Sequence, residues 1–187
     1  MSPGHPGATR RAVRILSVDA NTVRPMRRAV LRPYEAEEAV HYATDAVAEH
    51  LAAYEADGHL VGVATVFAEE HSETGEPGWR LRGMGVAADA RGTGCGGWLL
   101  TAVVDHVARS GGHLLWCNAR VSALGFYQRY GFTVESDVFF VVGGGEHRRM
   151  RRVVCTSASL VPWSSGLGRS SLRSRTFRAV LSASVLK

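Results

Sequence analysis

The sequence lacks a long apolar run, a secretion signal and paired cysteines. Its longest strongly apolar stretch, residues 60–67, is far shorter than the roughly 20 residues that a membrane-spanning helix requires. The first 12 residues carry arginines but no apolar segment after them, so we predict neither secretion nor membrane insertion. The three cysteines, Cys95, Cys117 and Cys155, have no metal-ligand spacing and are odd in number, which predicts reduced thiols in a cytoplasmic protein and no metal site.

Acidic residues are absent from the end of the chain. Residues 155–187 contain five basic residues, nine serines and no acid, whereas residues 1–154 contain 17 arginines and 17 acidic residues. The neutral body argues against nucleic-acid binding, but the basic tail is predicted to be disordered and could bind nucleic acid or an acidic partner. A shifted reading frame would produce the same abrupt change. Residues 1–12, which contain proline and glycine, are predicted to be a disordered leader.

Residues 13–154 are therefore expected to form one domain. The chain has 187 residues, of which 45% are hydrophobic, and this is enough for a sizeable core. No internal repeat is visible. We predict strands over residues 13–18, 49–55, 60–69, 79–86, 113–119, 132–142 and 147–154. We predict helices over residues 19–31, 98–109 and 122–130, with Asp19 or Asn21 capping the first and Ser122 capping the third.

Three local features refine this assignment. The Asp57-Gly58 turn should pair the second and third strands antiparallel. Gly83 and Gly85 are unusual inside a strand and indicate a bulge or a place where a ligand approaches the backbone. Residues 34–48 are compatible with a short helix or with a loop over a site.

A glycine-rich loop lies between the fourth strand and the second helix. Its sequence, residues 91–97, is Arg-Gly-Thr-Gly-Cys-Gly-Gly. Glycines let the backbone approach a ligand closely, and the free N–H groups of the helix that follows suit a phosphate. A simple connecting turn is the alternative. The lack of a following Lys-Ser or Lys-Thr argues against a nucleoside-triphosphate loop. The glycine spacing also fits a dinucleotide loop, but the lack of an acid near position 114 argues against it.

Two motifs resemble the GNAT superfamily of N-acetyltransferases. Arg91, Gly94 and Gly96 match its Arg/Gln-x-x-Gly-x-Gly/Ala signature. Residues 123–132, Ala-Leu-Gly-Phe-Tyr-Gln-Arg-Tyr-Gly-Phe, resemble the family segment Ala-x-x-Phe/Leu-Tyr-x-x-x-Gly-Phe and follow the loop at the family's distance. Residues 135–150 also resemble a bacterial branch of small GNAT proteins. The resemblance covers residues 13–154.

The resemblance implies an α/β (α+β) fold with a mixed, strongly twisted sheet of six to seven strands and about four helices. The strands at residues 79–86 and 113–119 would splay apart, with acetyl-CoA between them. The pyrophosphate would meet backbone N–H groups of the loop, the pantetheine arm would pair with the fourth strand, and Asn118 would bind the pantetheine or acetyl end or be an ordinary strand-end residue. The implied cofactor contacts are Met84, Gly85, Val86, Arg91, Gly92, Thr93, Gly94, Cys95, Gly96, Gly97 and Asn118.

The resemblance also implies direct transfer of an acetyl group to a primary amine of a small molecule or protein. Backbone N–H groups near residues 84–86 would stabilise charge on the carbonyl oxygen. Tyr127 matches the family position of the acid that protonates the leaving thiolate, and its alternative is a packing aromatic. The protein would be a monomer or homodimer. The second hypothesis is a binding module: a GNAT fold that holds CoA without turnover, or one that its basic tail recruits to nucleic acid.

Other polar residues carry weaker expectations. The arginines of the first helix are expected to form a solvated face, with contact to a substrate or phosphate as the alternative: Arg24, Arg27, Arg28 and Arg32. The acids and histidines at strand ends are expected to be solvated rather than catalytic: Glu49, His50, Glu69, Glu70 and His71. Arg82 could meet a substrate carboxylate or lie at an edge, and His147 could contact substrate or be a satisfied hairpin histidine. Cys95 is expected to pack beneath its helix.

Overall fold

A computed structural model describes residues 13–155, so the predicted leader and nearly all of the predicted basic tail lie outside the described residues. The strands are β1 (Val13–Val18), β2 (Glu49–Glu55), β3 (Leu60–Ala68), β4 (Trp79–Val86), β5 (Leu114–Arg120), β6 (Thr133–Val134), β7 (Phe139–Val141) and β8 (Gly145–Val153). The α-helices are α1 (Ala20–Leu31), α2 (Cys95–Arg109) and α3 (Leu124–Arg129), with single 3-10 turns at Glu37–Val40, Ala88–Ala90 and Val121–Ala123.

The strands form one mixed sheet in the order β1-β2-β3-β4-β5-β8-β6, with β7 added to β8. Only β4 and β5 run parallel, and they pair at three positions, from Trp79 opposite Leu115 to Leu81 opposite Cys117. Beyond Leu81 and Cys117 the two strands have no further register, so they diverge toward their C-terminal ends. The splayed, mixed sheet that was expected is confirmed, but residues 13–155 form three α-helices where about four were expected.

Helix α2 packs the larger part of the core against one face of the sheet. Leu99, Leu100, Val103 and Val107 recur with helical spacing and are fully buried. Each such side chain contributes roughly 1.5–3 kcal/mol when it leaves water. Gly62 of β3 lies directly beneath α2, because a Cβ there would stand 2.8 Å from Leu99 Cδ1. This close approach holds the start of α2 firmly at the end of β4.

Helix α1 covers the opposite face. Asp19 caps it, as predicted, by accepting a hydrogen bond from the Thr22 backbone N–H at 2.9 Å. The expectation that Arg27 belongs to a solvated face is wrong, because Arg27 is fully buried against β3. It occupies the buried stripe of the helix, one turn after Val23. Arg24, Arg28 and Arg32 remain at least partly exposed.

Two histidines expected to be solvated are also buried. His50 bonds Thr65 Oγ1 at 2.9 Å and the Asp45 carbonyl oxygen at 3.0 Å. His71 lies against Glu135 and packs its ring edge on Trp116. Both histidines point to the α1 face, where neighbouring polar groups satisfy their ring nitrogens. Glu49 and Glu69 are partly buried and Glu70 is exposed.

The segment around residues 132–142 differs from the prediction of one strand. Two short strands, β6 and β7, flank an irregular turn, which brings the sheet to eight strands. Ser136 causes the interruption, since its hydroxyl accepts the Arg149 backbone N–H at 2.8 Å and takes the place of a backbone partner. The predicted Ser122 cap is also wrong: α3 begins after Ala123 without a side-chain cap, because a 3-10 turn precedes it.

The predicted bulge in β4 is confirmed at Gly83. The register with β3 shifts between Val63 and Thr65, and Gly83 adopts a φ of 61°, a left-handed conformation that favours glycine. A Cβ at this position would stand 2.9 Å from Arg27 Nε and 3.3 Å from the Tyr42 ring. The bulge therefore depends on glycine for its backbone and for its contact with α1.

We expect Gly83→Ala to lower the free energy of unfolding by about 2 kcal/mol or more, because backbone strain and overpacking against Arg27 add. Gly58→Ala is the matched control: Gly58 has a φ of 88° and nothing within 4 Å of the position that a Cβ would take, so it tests strain alone. Urea unfolding of both variants measures the difference. Equal losses would contradict the close contact at Gly83.

Candidate active site

The gap between the splayed strands β4 and β5 forms a cleft of about 730 Å³. Its size falls within the range of roughly 300–1,000 Å³ that is usual for ligand sites. Residues of both faces of the sheet line it: Gly96 and Tyr130 come from the α2 and α3 side, and Leu31 and Tyr42 from the α1 side. The cleft therefore connects the two faces through the gap in the sheet.

The N-terminus of α2 forms one end of the cleft. Gly94 precedes the helix with a φ of 99° and provides no side-chain cap. The Trp98 N–H donates to the Gly94 carbonyl at 3.1 Å, so the N–H groups of Cys95, Gly96 and Gly97 precede the first bond of the helix. Together with the helix dipole, these groups suit an anion.

The end of β4 turns backbone groups toward this gap. The Ala87 N–H donates to the Val61 carbonyl of β3 at 2.9 Å. Because successive residues of a strand point their backbone groups to opposite sides, Val86 directs its N–H and C=O away from β3. The Arg91 Nε donates to that Val86 carbonyl at 3.2 Å, which ties the loop to the strand.

Most of the residues predicted to bind the cofactor line this cleft. They are Met84, Gly85, Val86, Arg91, Gly92, Gly94, Gly96, Gly97 and Asn118. Thr93 and Cys95 are outside the lining: Thr93 Oγ1 donates to the Ala90 carbonyl at 2.7 Å, and Cys95 is buried beneath α2 beside Gly62, where it was expected to pack. Contact of these two residues with a ligand through backbone N–H groups stays a prediction.

Tyr127 faces the cleft from α3. Its hydroxyl lies 3.8 Å from Met84 Sδ, and its ring packs edge-on against Phe126 and Phe132. Burial raises the pKa of the Tyr127 phenol well above its usual value of 10, with the nearby Cys117 adding to the effect. The phenol therefore keeps its proton at neutral pH and is available there as a proton donor.

The α1 face of the cleft carries a stacked trio of side chains that the sequence did not predict. The Tyr42 ring lies between two guanidinium groups, with the Arg82 Cζ 3.6 Å and the Arg27 Cζ 4.1 Å from its centroid. Burial lowers the pKa of Arg82, and Tyr42 partly opposes that effect. Both Arg82 and Tyr42 line the cleft.

Arg27 is held by a buried polar network behind Tyr42. Its Nη1 donates to Asp45 Oδ1 at 3.1 Å and to the Val40 carbonyl at 2.6 Å, and its Nη2 donates to Thr65 Oγ1 at 2.8 Å. Burial alone would raise the pKa of Asp45, but the charge of Arg27 and hydrogen bonds from Tyr42 N–H, Arg27 and Arg24 hold it below its ordinary value. The burial of Arg27 could have been predicted from the sequence, because Arg27 follows the apolar Val23 by four residues and so lies on the same face of the helix.

Asn118 lies on the same face as Arg82, at the diverging end of β5. Alternation along β5 turns Cys117 and Ala119 into the α2 core and Asn118 toward α1. Its Oδ1 atom is buried without a hydrogen-bond partner in the described part of the chain. A buried acceptor of this kind favours a ligand that brings a donor.

His147 closes the cleft from β8. Its Nδ1 bonds the Gly145 carbonyl oxygen at 2.9 Å, and its ring stacks on Phe139. Both alternatives for His147 stay compatible with the structure, because it is satisfied within the hairpin and also lines the cleft. Among residues 13–155, no group of three or more His, Cys, Asp or Glu side chains is placed to bind a metal ion. No helix in the same range is long and apolar enough to cross a membrane.

The splayed sheet, the uncapped helix and the buried tyrosine can be compared with known proteins. The family model of the acetyltransferase (GNAT) domain matches residues 20–154. The uncharacterized N-acetyltransferase YitI of Bacillus subtilis (strain 168) is 30% identical over 135 residues, which are 71% of this chain and 90% of YitI.

Solved structures share the fold at lower identity. An acyl-CoA N-acyltransferase from Pseudomonas aeruginosa aligns with a TM-score of 0.59 at 20% identity, covering 75% of this chain and 99% of that chain. A chain of the NatC complex bound to Gag peptide and CoA aligns with a TM-score of 0.62 at 14% identity, covering 76% of this chain and 99% of that chain. The family model spans most of the sequence and the fold agrees with it, so the chain belongs to the GNAT family of acetyltransferases.

Proposed function

We propose that this protein transfers an acetyl group from acetyl-CoA to a primary amine, with Tyr127 as the proton donor. The observation that carries the proposal is the single cleft that joins the uncapped N-terminus of α2 to the buried hydroxyl of Tyr127. The relative YitI, named as an N-acetyltransferase, supports the same reaction. GNAT acetyltransferases use acetyl-CoA, and the cleft offers an anion site at one end and a gap through the sheet beside it.

The residues present fit such a donor. The N–H groups at the start of α2 would hold the pyrophosphate, and Arg91 would add a fixed positive charge beside them. The Val86 backbone, which faces the gap, would pair with the amides of the pantetheine arm, and Asn118 would bind the pantetheine or acetyl end.

Acetyl-CoA supplies a thioester carbonyl that a neutral amine can attack and a thiolate that leaves. A backbone N–H group near residues 84–86 that faces away from β3 would donate to the carbonyl oxygen as its charge grows. Tyr127 would give its Oη proton to the sulfur as the C–S bond breaks and the C–N bond forms. The proton lost by the amine passes to solvent, and solvent reprotonates Tyr127, so the protons balance.

Calorimetry with the full chain tests the donor site. We expect acetyl-CoA to bind the wild type, and Gly94→Glu to weaken binding at least about tenfold, the equivalent of about 1.4 kcal/mol. The carboxylate would compete with phosphate at the start of α2.

Gly58→Glu is the matched control for this experiment. Gly58 shares the positive φ but lies in the β2–β3 turn, with nothing within 4 Å of the position that a Cβ would take. The substitution therefore introduces the same backbone strain and the same charge away from the cleft. Its affinity should equal that of the wild type. Absence of acetyl-CoA binding by the wild type would defeat the proposal.

A further inference from the structure

The lining of the cleft is unusual in charge. Among the described residues that line it there is no aspartate and no glutamate. Six arginines line it instead: Arg32, Arg80, Arg82, Arg91, Arg120 and Arg129. A concave surface lined by one sign of charge concentrates ligands of the opposite sign.

Several of these arginines already have partners within the protein. Arg80 Nη1 forms an ion pair with Glu69 at 2.8 Å. Arg32 Nη1 donates to the Val142 carbonyl at 2.6 Å, and Arg120 Nη2 donates to the Leu31 carbonyl at 2.8 Å. Arg91 is bonded to the Val86 carbonyl at the phosphate end. Glu69 neutralises Arg80, whereas the backbone carbonyls hold Arg32, Arg91 and Arg120 in place without removing their charge. The sixth, Arg129, is exposed to solvent.

Arg82 differs from the other five because it is partly buried and no hydrogen bond or ion pair within residues 13–155 holds its guanidinium. Its guanidinium is partly buried against the Tyr42 ring, and within residues 13–155 no carboxylate lies within 4.0 Å of it. The other cation on Tyr42, Arg27, is neutralised by Asp45. The stack of Arg27, Tyr42 and Arg82 with Asp45 thus carries one uncompensated positive charge, which is costly away from water unless an anion pairs with it.

The position of Arg82 relative to Tyr127, the proposed proton donor, also bears on the acceptor. Arg82 precedes Met84 by two residues on β4, and Met84 Sδ contacts the Tyr127 hydroxyl. Two residues of extended chain span at most about 7 Å, so the Cα atoms of Arg82 and Met84 are close, with the Arg82 guanidinium on the α1 side of the gap and the Tyr127 hydroxyl on the α3 side. A ligand that reaches both therefore places its charged group on the α1 side, at Arg82, and its nucleophile in the gap toward Tyr127.

We propose that the acceptor is a small amine that also carries an anionic group, a carboxylate or a phosphate, and that Arg82 binds this group. The inference rests on the proposed acetyl transfer and names its substrate class. The planar guanidinium, held by Tyr42, presents a fork that matches a carboxylate or phosphate in two hydrogen bonds. Polycationic acceptors, such as polyamines and lysine-rich peptides, are repelled by the same lining.

Matched acceptor pairs test the substrate class. Acetyl transfer is measured by thiol release for α-amino acids against their carboxamides, for phosphoethanolamine against ethanolamine, and for spermidine. We expect the anionic member of at least one pair to have a kcat/KM at least about tenfold higher than its neutral partner. The two kinds of pair distinguish a carboxylate from a phosphate. Equal rates within every pair, or a preference for spermidine, would overturn the proposal while leaving acetyl transfer intact.

Variants of Arg82 test its role. Arg82→Gln should raise the KM for the anionic acceptor at least about tenfold. The KM for the neutral acceptor and the KM for acetyl-CoA should stay unchanged. Arg82→Lys should restore part of the loss, because it keeps the charge without the fork. Arg14→Gln, on the exposed part of edge strand β1, is the control. Equal losses for charged and neutral acceptors would show a merely structural role and overturn the assignment.

A binding measurement separates this inference from the proposed function. Saturation-transfer NMR detects the same acceptors on the protein loaded with CoA, whether or not they react. Anionic amines should give signals with the wild type, and Arg82→Gln should abolish these signals. The neutral partners should not give such Arg82-dependent signals. Binding without such a difference overturns the substrate class. Absence of acetyl-CoA binding in the calorimetry described above would defeat the proposed function instead.

Discussion

Replacing Tyr127 by phenylalanine is expected to lower kcat by about 10²–10⁴-fold while leaving the affinity for acetyl-CoA nearly unchanged. The substitution removes the proposed proton donor but keeps the ring that packs against Phe126 and Phe132. The hydroxyl itself makes a weak 3.8 Å contact with Met84 Sδ, so its loss should cost little stability. Steady-state kinetics and calorimetry on the same preparation separate the two effects.

Tyr54→Phe is the control for this variant. Tyr54 lies on β2, outside the cleft, and should keep wild-type kcat. An unchanged kcat in Tyr127→Phe would assign Tyr127 to packing, the alternative left open by its sequence position.

The pH profile provides a second test of Tyr127. Because burial raises the pKa of the phenol well above 10, the donor stays protonated across the range in which a free tyrosine would begin to ionise. We therefore expect no fall in the wild-type kcat between about pH 7 and 10 from loss of this proton. A fall in that range that disappears in Tyr127→Phe would contradict the raised pKa.

Replacing Arg27 by methionine is expected to lower the free energy of unfolding by about 3–5 kcal/mol. The variant fills a similar volume but leaves the buried Asp45 carboxylate without its main partner, and Thr65 Oγ1 without one of its two hydrogen bonds. Urea unfolding at neutral pH measures the loss. Because Tyr42 rests on Arg27, the acceptor side of the cleft should be disturbed as well.

Arg24→Met is the matched control for this prediction. Arg24 pairs with the same carboxylate, Nε to Asp45 Oδ2 at 3.2 Å, but its side chain is 25% exposed whereas that of Arg27 is 0% exposed. A pair that is partly screened by water contributes roughly 0–1 kcal/mol. Similar losses in the two variants would contradict the special role of the buried guanidinium.

Acid should remove the contribution of this ion pair. The pKa of Asp45 is lower in the folded chain than its ordinary value, so its contribution is fully present above the unfolded pKa near 4. The contribution is lost as the pH falls through the folded value. The stability difference between the wild type and Asp45→Asn should therefore be constant above about pH 5 and shrink below pH 4.

Much of the local structure was predictable because its causes lie close together in the sequence. Asp19 caps α1 through a residue three positions away, and the Asp57-Gly58 turn joins its two strands directly. Gly83 marks the bulge through its own φ. Where a distant partner intervened, prediction failed: Ser136 interrupts the strand after Phe132 by bonding Arg149, 13 residues away.

The sequence by itself determined the glycine loop, the tyrosine after it and hence the family, because both motifs depend on residue types at fixed short spacings. Only the tertiary structure decided which charges are buried and which lack a partner. Arg27 bonds Asp45 and Thr65, 18 and 38 residues away. Arg82 packs on Tyr42 on the α1 face of the cleft, and within residues 13–155 no carboxylate pairs with it. The reason is physical: hydrogen-bond and backbone preferences act within a few residues, whereas the cost of burying a charge depends on every group that folding brings around it.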